Sequence, residues 1–209
     1  MFKTEQENFW ATDFWNDYQD RNQWNKFLAN QLNYFSNILN NTSNIWTILE
    51  LWANIGMNLV ALNLLLPESK LTAIEINRLA CEKIEKNLWN KVNVINWSIL
   101  DYSSDSKYDL VFTKWVLIHI NPNELDKVYE VMYNSSNRYI LLWEYYNPKP
   151  VSIEYRWYND KLFKRDFCWD ILNKYPDLEL KSYWFNYHWD NNFQQDDITW
   201  FLLEKKHII

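Results

Sequence analysis

Glycine is almost missing from this chain. At ordinary usage near 7%, a chain of this length carries roughly 15 glycines; among these 209 residues there is one, Gly56. Tight turns, helix ends and close backbone contacts call for residues that tolerate positive φ, so a chain this poor in glycine must meet those needs in another way. Cysteine is scarce too. Cys81 and Cys168 stand far apart without metal-ligand spacing, which leaves no disulfide framework, argues against a zinc site and suits a reducing compartment. Lys and Arg number 21 against 27 Asp and Glu, with net charge −6 and a pI near 5.1, so the broad basic face of a nonspecific nucleic-acid binder is lacking. No apolar run approaches the roughly 18 residues of a membrane span, and the opening Met-Phe-Lys-Thr-Glu-Gln-Glu-Asn is polar. The expectation is a cytoplasmic protein with neither a nucleic-acid nor a membrane partner.

What the chain has instead is tryptophan, fourteen of them. Together with Gly56 they make up about the number of glycines expected. Trp52, Trp89, Trp97, Trp115, Trp157 and Trp169 fall at expected strand ends, helix ends and turns, the places where glycine is wanted. We read most of these as glycines misread in translation, since UGA means tryptophan in some genetic codes, glycine in others and stop in the standard one. The alternative is a chain selected for an aromatic, stacking surface. Trp10 and Trp200 sit among apolar neighbours and read as true tryptophans, while Trp24, Trp46 and Trp189 stay open.

The order of patterns predicts an α/β fold in one domain, 1–209. Residues 4–39 carry aromatics and leucines at helical spacing and form a helical cap, 1–44, ahead of a core at 45–209. Then strand and helix alternate: Ile45–Leu51, helix Met57–Leu66 stopped by Pro67, strand Leu71–Ile76, helix Leu79–Leu88, and strand Val92–Ile95. Strand Leu110–Thr113, helix Leu125–Tyr133 and strand Tyr139–Leu142 follow. Such alternation predicts a doubly wound, mostly parallel sheet. A helix near Phe163–Lys174 and strands near Leu178–Phe185 and Ile198–Glu204 come last, the two strands as an antiparallel pair at one edge of seven.

The junction of the first strand and helix reads Glu50-Leu51-Trp52-Ala53-Asn54-Ile55-Gly56-Met57-Asn58. With glycine at position 52 it resembles motif I of class I S-adenosylmethionine-dependent methyltransferases, acidic-x-Gly-x-Gly-x-Gly, with Asn54 in place of the middle glycine. Asparagine tolerates left-handed backbone better than most residues. The resemblance implies a Rossmann-like fold, S-adenosylmethionine as cofactor, and a turn from Trp52 through Ala53, Asn54, Gly56 and Asn58 that passes it against backbone, with Glu50 near its amino group. Glu75, with Ile76 beside it, closes the second strand about 20 residues downstream, the spacing that suits ribose hydroxyls. Ser98, Ile99 and Asp101 resemble the family segment that holds adenine. Thr113, Lys114 and the loop to Pro122 line the family's opening between cofactor and acceptor, where His119 serves as a general base or as a structural histidine.

A closer resemblance covers almost the whole chain. Thr4–Ala11, Glu50–Asn58, Phe112–Pro122, Glu144–Pro148 and Gln195–Glu204 are similar to methylases associated with pseudaminic acid biosynthesis. This implies a small sugar or nucleotide-sugar acceptor, with Glu144, Tyr145, Tyr146 and Asn147 at a strand's carboxyl end and Tyr145 available to assist proton removal. Arg156, Lys161, Lys164 and Arg165 form a basic cluster in an acidic chain, suited to an anionic group of the acceptor or to a solvated face; Tyr187 and His188 are further candidates. Two rivals remain open. A nicotinamide-dependent oxidoreductase would want a third glycine where Leu59 stands. A methyltransferase-like scaffold without cofactor would be consistent with genuine indoles at 52, 97 and 115.

Overall fold

The computed structural model describes residues 4–11, 24–103, 105–155 and 158–206. Seven strands form one sheet in the order β3-β2-β1-β4-β5-β9-β8, and β6 and β7 form a separate two-stranded ribbon. The chain divides into two compact units, Met1–Ser103 and Ser104–Ile209.

The first unit opens with helices α1 (Glu5–Ala11) and α2 (Trp24–Leu39). The part of the expected helical cap between them lies outside the described residues. Tyr34, Phe35 and Ile38 give α2 a buried face that packs on α3 (Met57–Leu65). Strands β1 (Thr47–Leu51), β2 (Lys70–Glu75) and β3 (Val92–Asn96) are parallel, with Leu51 opposite Ile74 and Glu75 opposite Asn96. Strand β1 is buried almost throughout, Glu50 included, because both of its faces are covered, as parallel sheets require. Helix α4 (Arg78–Leu88) is capped by Asn77, whose side chain accepts from Ala80 N at 3.0 Å, and it buries Ala80, Cys81, Ile84 and Leu88.

In the second unit β4 (Tyr108–Lys114) and β5 (Ser136–Glu144) are parallel, joined through a short 3-10 turn at Leu117–His119, a second at Pro122–Glu124, and α5 (Leu125–Ser135). Strands β8 (Leu178–Asn186) and β9 (Ile198–Lys205) run antiparallel beside β5, β8 at the sheet's edge. The expected helix at Phe163–Lys174 is corrected here. Strands β6 (Val151–Tyr155) and β7 (Tyr158–Lys164) form an antiparallel hairpin, and the helix, α6, begins only at Phe167 and ends at Lys174. Asp166 caps it by accepting from Trp169 N at 2.9 Å, which fixes the start that the sequence pattern placed too early.

Candidate functional site

At the carboxyl end of β1 the chain must leave the sheet and enter α3 within five residues. It does so through left-handed backbone at Trp52 (φ 63°), Asn54 (φ 52°) and Gly56 (φ 78°). Trp52 N and Ala53 N both donate to Ile74 O, at 2.7 and 3.1 Å, and Gly56 N donates back to Ala53 O at 2.9 Å. A side chain on Gly56 would meet Ile84 at 3.2 Å, so glycine serves here for both φ and space. Asn87 of α4 donates to Ile55 O at 3.1 Å and pins the turn from outside.

Glu75 is the centre of this turn. Fully buried at the end of β2, it accepts from Asn54 N at 2.8 Å and Asn77 N at 2.7 Å. Burial pushes its carboxyl up to about 7, against the backbone donors Asn77, Asn54 and Ile76 that favour the charge. Glu50, buried at 2% exposure, is held by Asn58 Nδ2 at 2.6 Å. The oxygens Asn54 Oδ1 and Asn58 Oδ1 are buried without a hydrogen-bond partner among the described residues. Two orphaned acceptors and two buried carboxylates around one turn suit a ligand rich in N–H and O–H groups. Beyond β3, Asn96 Nδ2 donates to Glu75 O and Ile76 O, and Ser98 Oγ accepts from Leu100 N at 3.1 Å. Ile99 is buried, while Asp101 is exposed with its N–H on Ser98 O at 3.2 Å.

The second unit carries the remaining sequence candidates. Thr113 is fully buried and Lys114 nearly so, its ammonium 3.9 Å from the centre of the Trp143 ring and 4.7 Å from that of Trp115. Glu144, at 3% exposure, reaches the loop after β4: Oε1 accepts from Val116 N at 3.2 Å, while Oε2 and the Thr113 hydroxyl are buried without a hydrogen-bond partner among the described residues. Burial still raises it to about 7. His119 is half-buried in the 3-10 turn.

Past β5 the polar groups face outward. Tyr145 Oη donates to Asp196 Oδ2 at 2.6 Å, and Lys164 Nζ lies 4.5 Å from the centre of the Tyr145 ring. Tyr146 is 44% exposed and tilts against Phe201. Arg165 is paired with Asp170 at 2.7 Å, and Tyr129 donates to the same carboxylate. Arg156 lies outside the described residues. Sequence pattern gave no role to Asp197, which takes His188 Nδ1 at 2.8 Å. Nε2 of His188 has no partner among the described residues. The His188 contact holds the Asp197 carboxyl below its ordinary range. Sequence offers little signal for such a pair, since the two residues meet only because β8 and β9 are joined by one loop.

The tryptophans divide by environment. Trp143 is fully buried and Trp200 is 4% exposed, as true core indoles are. Trp46, Trp89, Trp97, Trp169, Trp184 and Trp189 are all more than half exposed. Of the five non-glycine residues at positive φ among the described residues, three are asparagine and the other two are Trp52 and Trp115.

No family model and no curated protein matches the chain. Solved structures do. A SAM-dependent methyltransferase from Leishmania major is 16% identical with a TM-score of 0.70, covering 95% of this chain and 81% of that one. A magnesium protoporphyrin IX methyltransferase from Synechocystis, with SAM bound, is 9% identical with a TM-score of 0.68, covering 99% and 100%. The plantazolicin methyltransferase BpumL, in complex with S-adenosylhomocysteine, is 15% identical with a TM-score of 0.66, covering 97% and 94%. The fold is therefore that of class I methyltransferases, a Rossmann-like sheet with flanking helices.

Proposed function

We propose that this chain is an S-adenosylmethionine-dependent methyltransferase acting on a small sugar-like acceptor. The observation that carries this reading is the turn after β1, where Glu75 is clamped by Asn54 N and Asn77 N beside the Glu50–Asn58 pair. The bound cofactor supplies an electrophilic methyl group. Glu75 would take the ribose hydroxyls, Glu50 and Asn58 the amino-acid end, and Ser98, Ile99 and Asp101 the adenine, with Ala53, Gly56 and Ile76 as close backbone. Placement of these groups and exclusion of water lower the barrier to an in-line transfer. On the acceptor side, Tyr145, Tyr146 and Lys164 offer a phenol, a ring face and a cation, as an acidic hydroxylated acceptor would need. His188, with Nδ1 turned to Asp197, is a base available at Nε2 to take the acceptor proton; His119 is the rival for that role. The resemblance to methylases of pseudaminic acid biosynthesis supports a place among nonulosonic sugar enzymes, working as one domain in the cytoplasm. No helix among the described residues is long and apolar enough to cross a membrane.

The same reading includes misread glycines. A left-handed backbone costs an L-residue with a bulky side chain of order 1–2 kcal/mol, and Trp52 and Trp115 both adopt it. An indole at 52 stands in the turn assigned to the cofactor. The exposed rings of Trp89, Trp97 and Trp169 give no packing reason for tryptophan.

Calorimetric titration of S-adenosylhomocysteine tests the proposal, using the chain as written and a Trp52→Gly, Trp97→Gly, Trp115→Gly variant. Binding by the variant alone supports both the cofactor and the misreading. Binding by both supports the cofactor and counts against misreading, and UGG codons at those positions would end that idea. Failure of both, with the proteins folded, leaves a methyltransferase-like scaffold.

A further inference from the structure

Helix α1 has seven residues, too few to be stable alone in water. It nonetheless buries two polar side chains, Gln6 at 5% and Glu7 at 4% exposure. Its first turn is a reciprocal cap: Glu7 N donates to Thr4 Oγ1 at 3.1 Å, and Thr4 N donates to Glu7 Oε2 at 3.2 Å. The other carboxylate oxygen has a distant partner. Glu7 Oε1 accepts the hydroxyl of Ser98, 91 positions along the chain, in the turn after β3. Ser98 Oγ in turn accepts from Leu100 N, so one hydroxyl both shapes that turn and ties it to the N-terminal helix.

Burying a carboxylate costs free energy that an apolar side chain at the same place would not. If α1 served packing alone, leucine at position 7 would dock it better. What the carboxylate adds is a fixed direction for the Ser98 hydroxyl. We propose that Glu7 is a positioning residue for the adenine end of the cofactor site. It latches α1 onto Ser98, so that docking of α1 and ordering of the Trp97–Asp101 turn are one event, coupled to cofactor binding. Coupling of this kind is reciprocal: ligand in the turn tightens α1, and a docked α1 tightens the ligand. The inference rests on the methyltransferase reading of that turn.

The test uses two probes, S-adenosylhomocysteine and 5′-methylthioadenosine, which shares the adenine and ribose but lacks the amino-acid end. Both are titrated into the parent chain, Glu7→Ala, Ser98→Ala and the double variant, in whichever background of the preceding experiment binds S-adenosylhomocysteine. Each single variant is expected to lose about tenfold in affinity for both probes. The double variant should lose clearly less than the sum of the two single losses, because both remove the shared Glu7–Ser98 bond, although Ser98→Ala also frees Leu100 N and Glu7→Ala also frees Thr4 N. Glu7→Gln, whose amide oxygen can cap Thr4 N while its NH2 donates to the Ser98 hydroxyl, should recover most of the affinity. Amide exchange in residues 5–11 should slow on ligand binding in the parent and not in Ser98→Ala. Ser98→Ala keeps every residue of α1 and its Thr4–Glu7 cap, so it decides the matter if Glu7→Ala fails to fold. Variants within twofold of a parent that does bind, or additive losses in the double variant, overturn the latch and leave the cofactor reading standing. If neither background binds S-adenosylhomocysteine, the reading falls and the latch with it.

Discussion

The loops after β1 and after β4 are built from the same parts. After β1, Trp52 turns left-handed at φ 63° and donates its N–H to Ile74 O, the residue before Glu75; Asn54 N then reaches the Glu75 carboxylate. After β4, Trp115 turns left-handed at φ 57° and donates to Trp143 O, the residue before Glu144; Val116 N then reaches Glu144. Both carboxylates close a parallel strand, both are buried, and burial pushes both up to about 7. Beyond the turn the two loops diverge. The first opens through Gly56 into α3, and Glu75 is met by three backbone donors, Asn77, Asn54 and Ile76. The second tightens into a 3-10 turn, and Glu144 Oε1 accepts from Val116 N while its Oε2 is buried without a hydrogen-bond partner among the described residues. Both oxygens of Glu75 are used, one by Asn54 N and one by Asn77 N, and a carboxylate's about four acceptor positions still leave room beside them. The same geometry thus recurs in both halves of the chain with a different degree of satisfaction, and the proposed reading gives the cofactor to the first.

Removing each carboxylate separates these roles. Glu144→Ala leaves the Val116 N–H buried without its acceptor, and the expected cost is about 2 kcal/mol of stability, read by chemical denaturation, with S-adenosylhomocysteine affinity changed less than threefold at a temperature where the variant is folded. Glu75→Ala should lose about 100-fold in S-adenosylhomocysteine affinity, the worth of two hydrogen bonds to a charged group. Equal effects on binding from both substitutions would erase the distinction drawn between the loops.

Much of this was legible in the sequence because parallel strands leave a simple trace. Leu110 to Phe112 is an apolar run ended by Thr113 and Lys114, Ile48 to Leu51 is apolar but for Glu50, and the strand-end positions of Glu50 and Glu75 were readable from the same pattern. The hairpin β6–β7 was not legible. Val151-Ser152-Ile153-Glu154-Tyr155 alternates as a strand should, but the two residues before β7 are Arg156-Trp157, with none of the Asn-Gly or Asp-Gly chemistry that marks a hairpin. Glu144 likewise stands at a strand's end, and nothing in sequence tells that Val116 N will reach one of its oxygens and leave the other open. The Glu7–Ser98 contact joins residues 91 positions apart and the His188–Asp197 contact spans an irregular loop, so both were beyond any local pattern, although Thr4 and Glu7 carry the spacing of a capping box.

The shared shift of the two carboxylates has a pH signature that ligand should split. For both, the folded value of about 7 lies above the ordinary 4.5. The folded state holds protons more tightly, so this contribution to stability is complete below about 4.5 and is lost as pH rises through about 7. The ligand-free chain should therefore resist denaturant better at pH 5 than at pH 8, and Glu75→Gln and Glu144→Gln should each flatten that slope. On the proposed reading ribose hydroxyls would donate to the charged form of Glu75, so S-adenosylhomocysteine should bind better as pH rises, by up to about tenfold per pH unit below 7. Glu144→Gln should leave that binding profile in place and Glu75→Gln should abolish it; the opposite assignment would mean that the wrong loop had been given the ligand.

The smallest expected effect bears on the feature the loops share most closely. Trp52→Gly and Trp115→Gly each relieve a left-handed backbone that costs a bulky L-residue roughly 1–2 kcal/mol, but glycine also gives back part of that gain as extra freedom in the unfolded chain. The net expectation is a gain of about 0.5–1 kcal/mol at each site by chemical denaturation. Trp115 is held between that strain and the Lys114 ammonium on its ring face, so its gain should be the lower of the two. Trp143→Gly is the control: its indole is fully buried, and its loss should cost about 3–5 kcal/mol. If all three substitutions destabilise alike, the positive-φ tryptophans are as well fitted as the core one, and the case that glycine belongs in both loops fails on physical grounds.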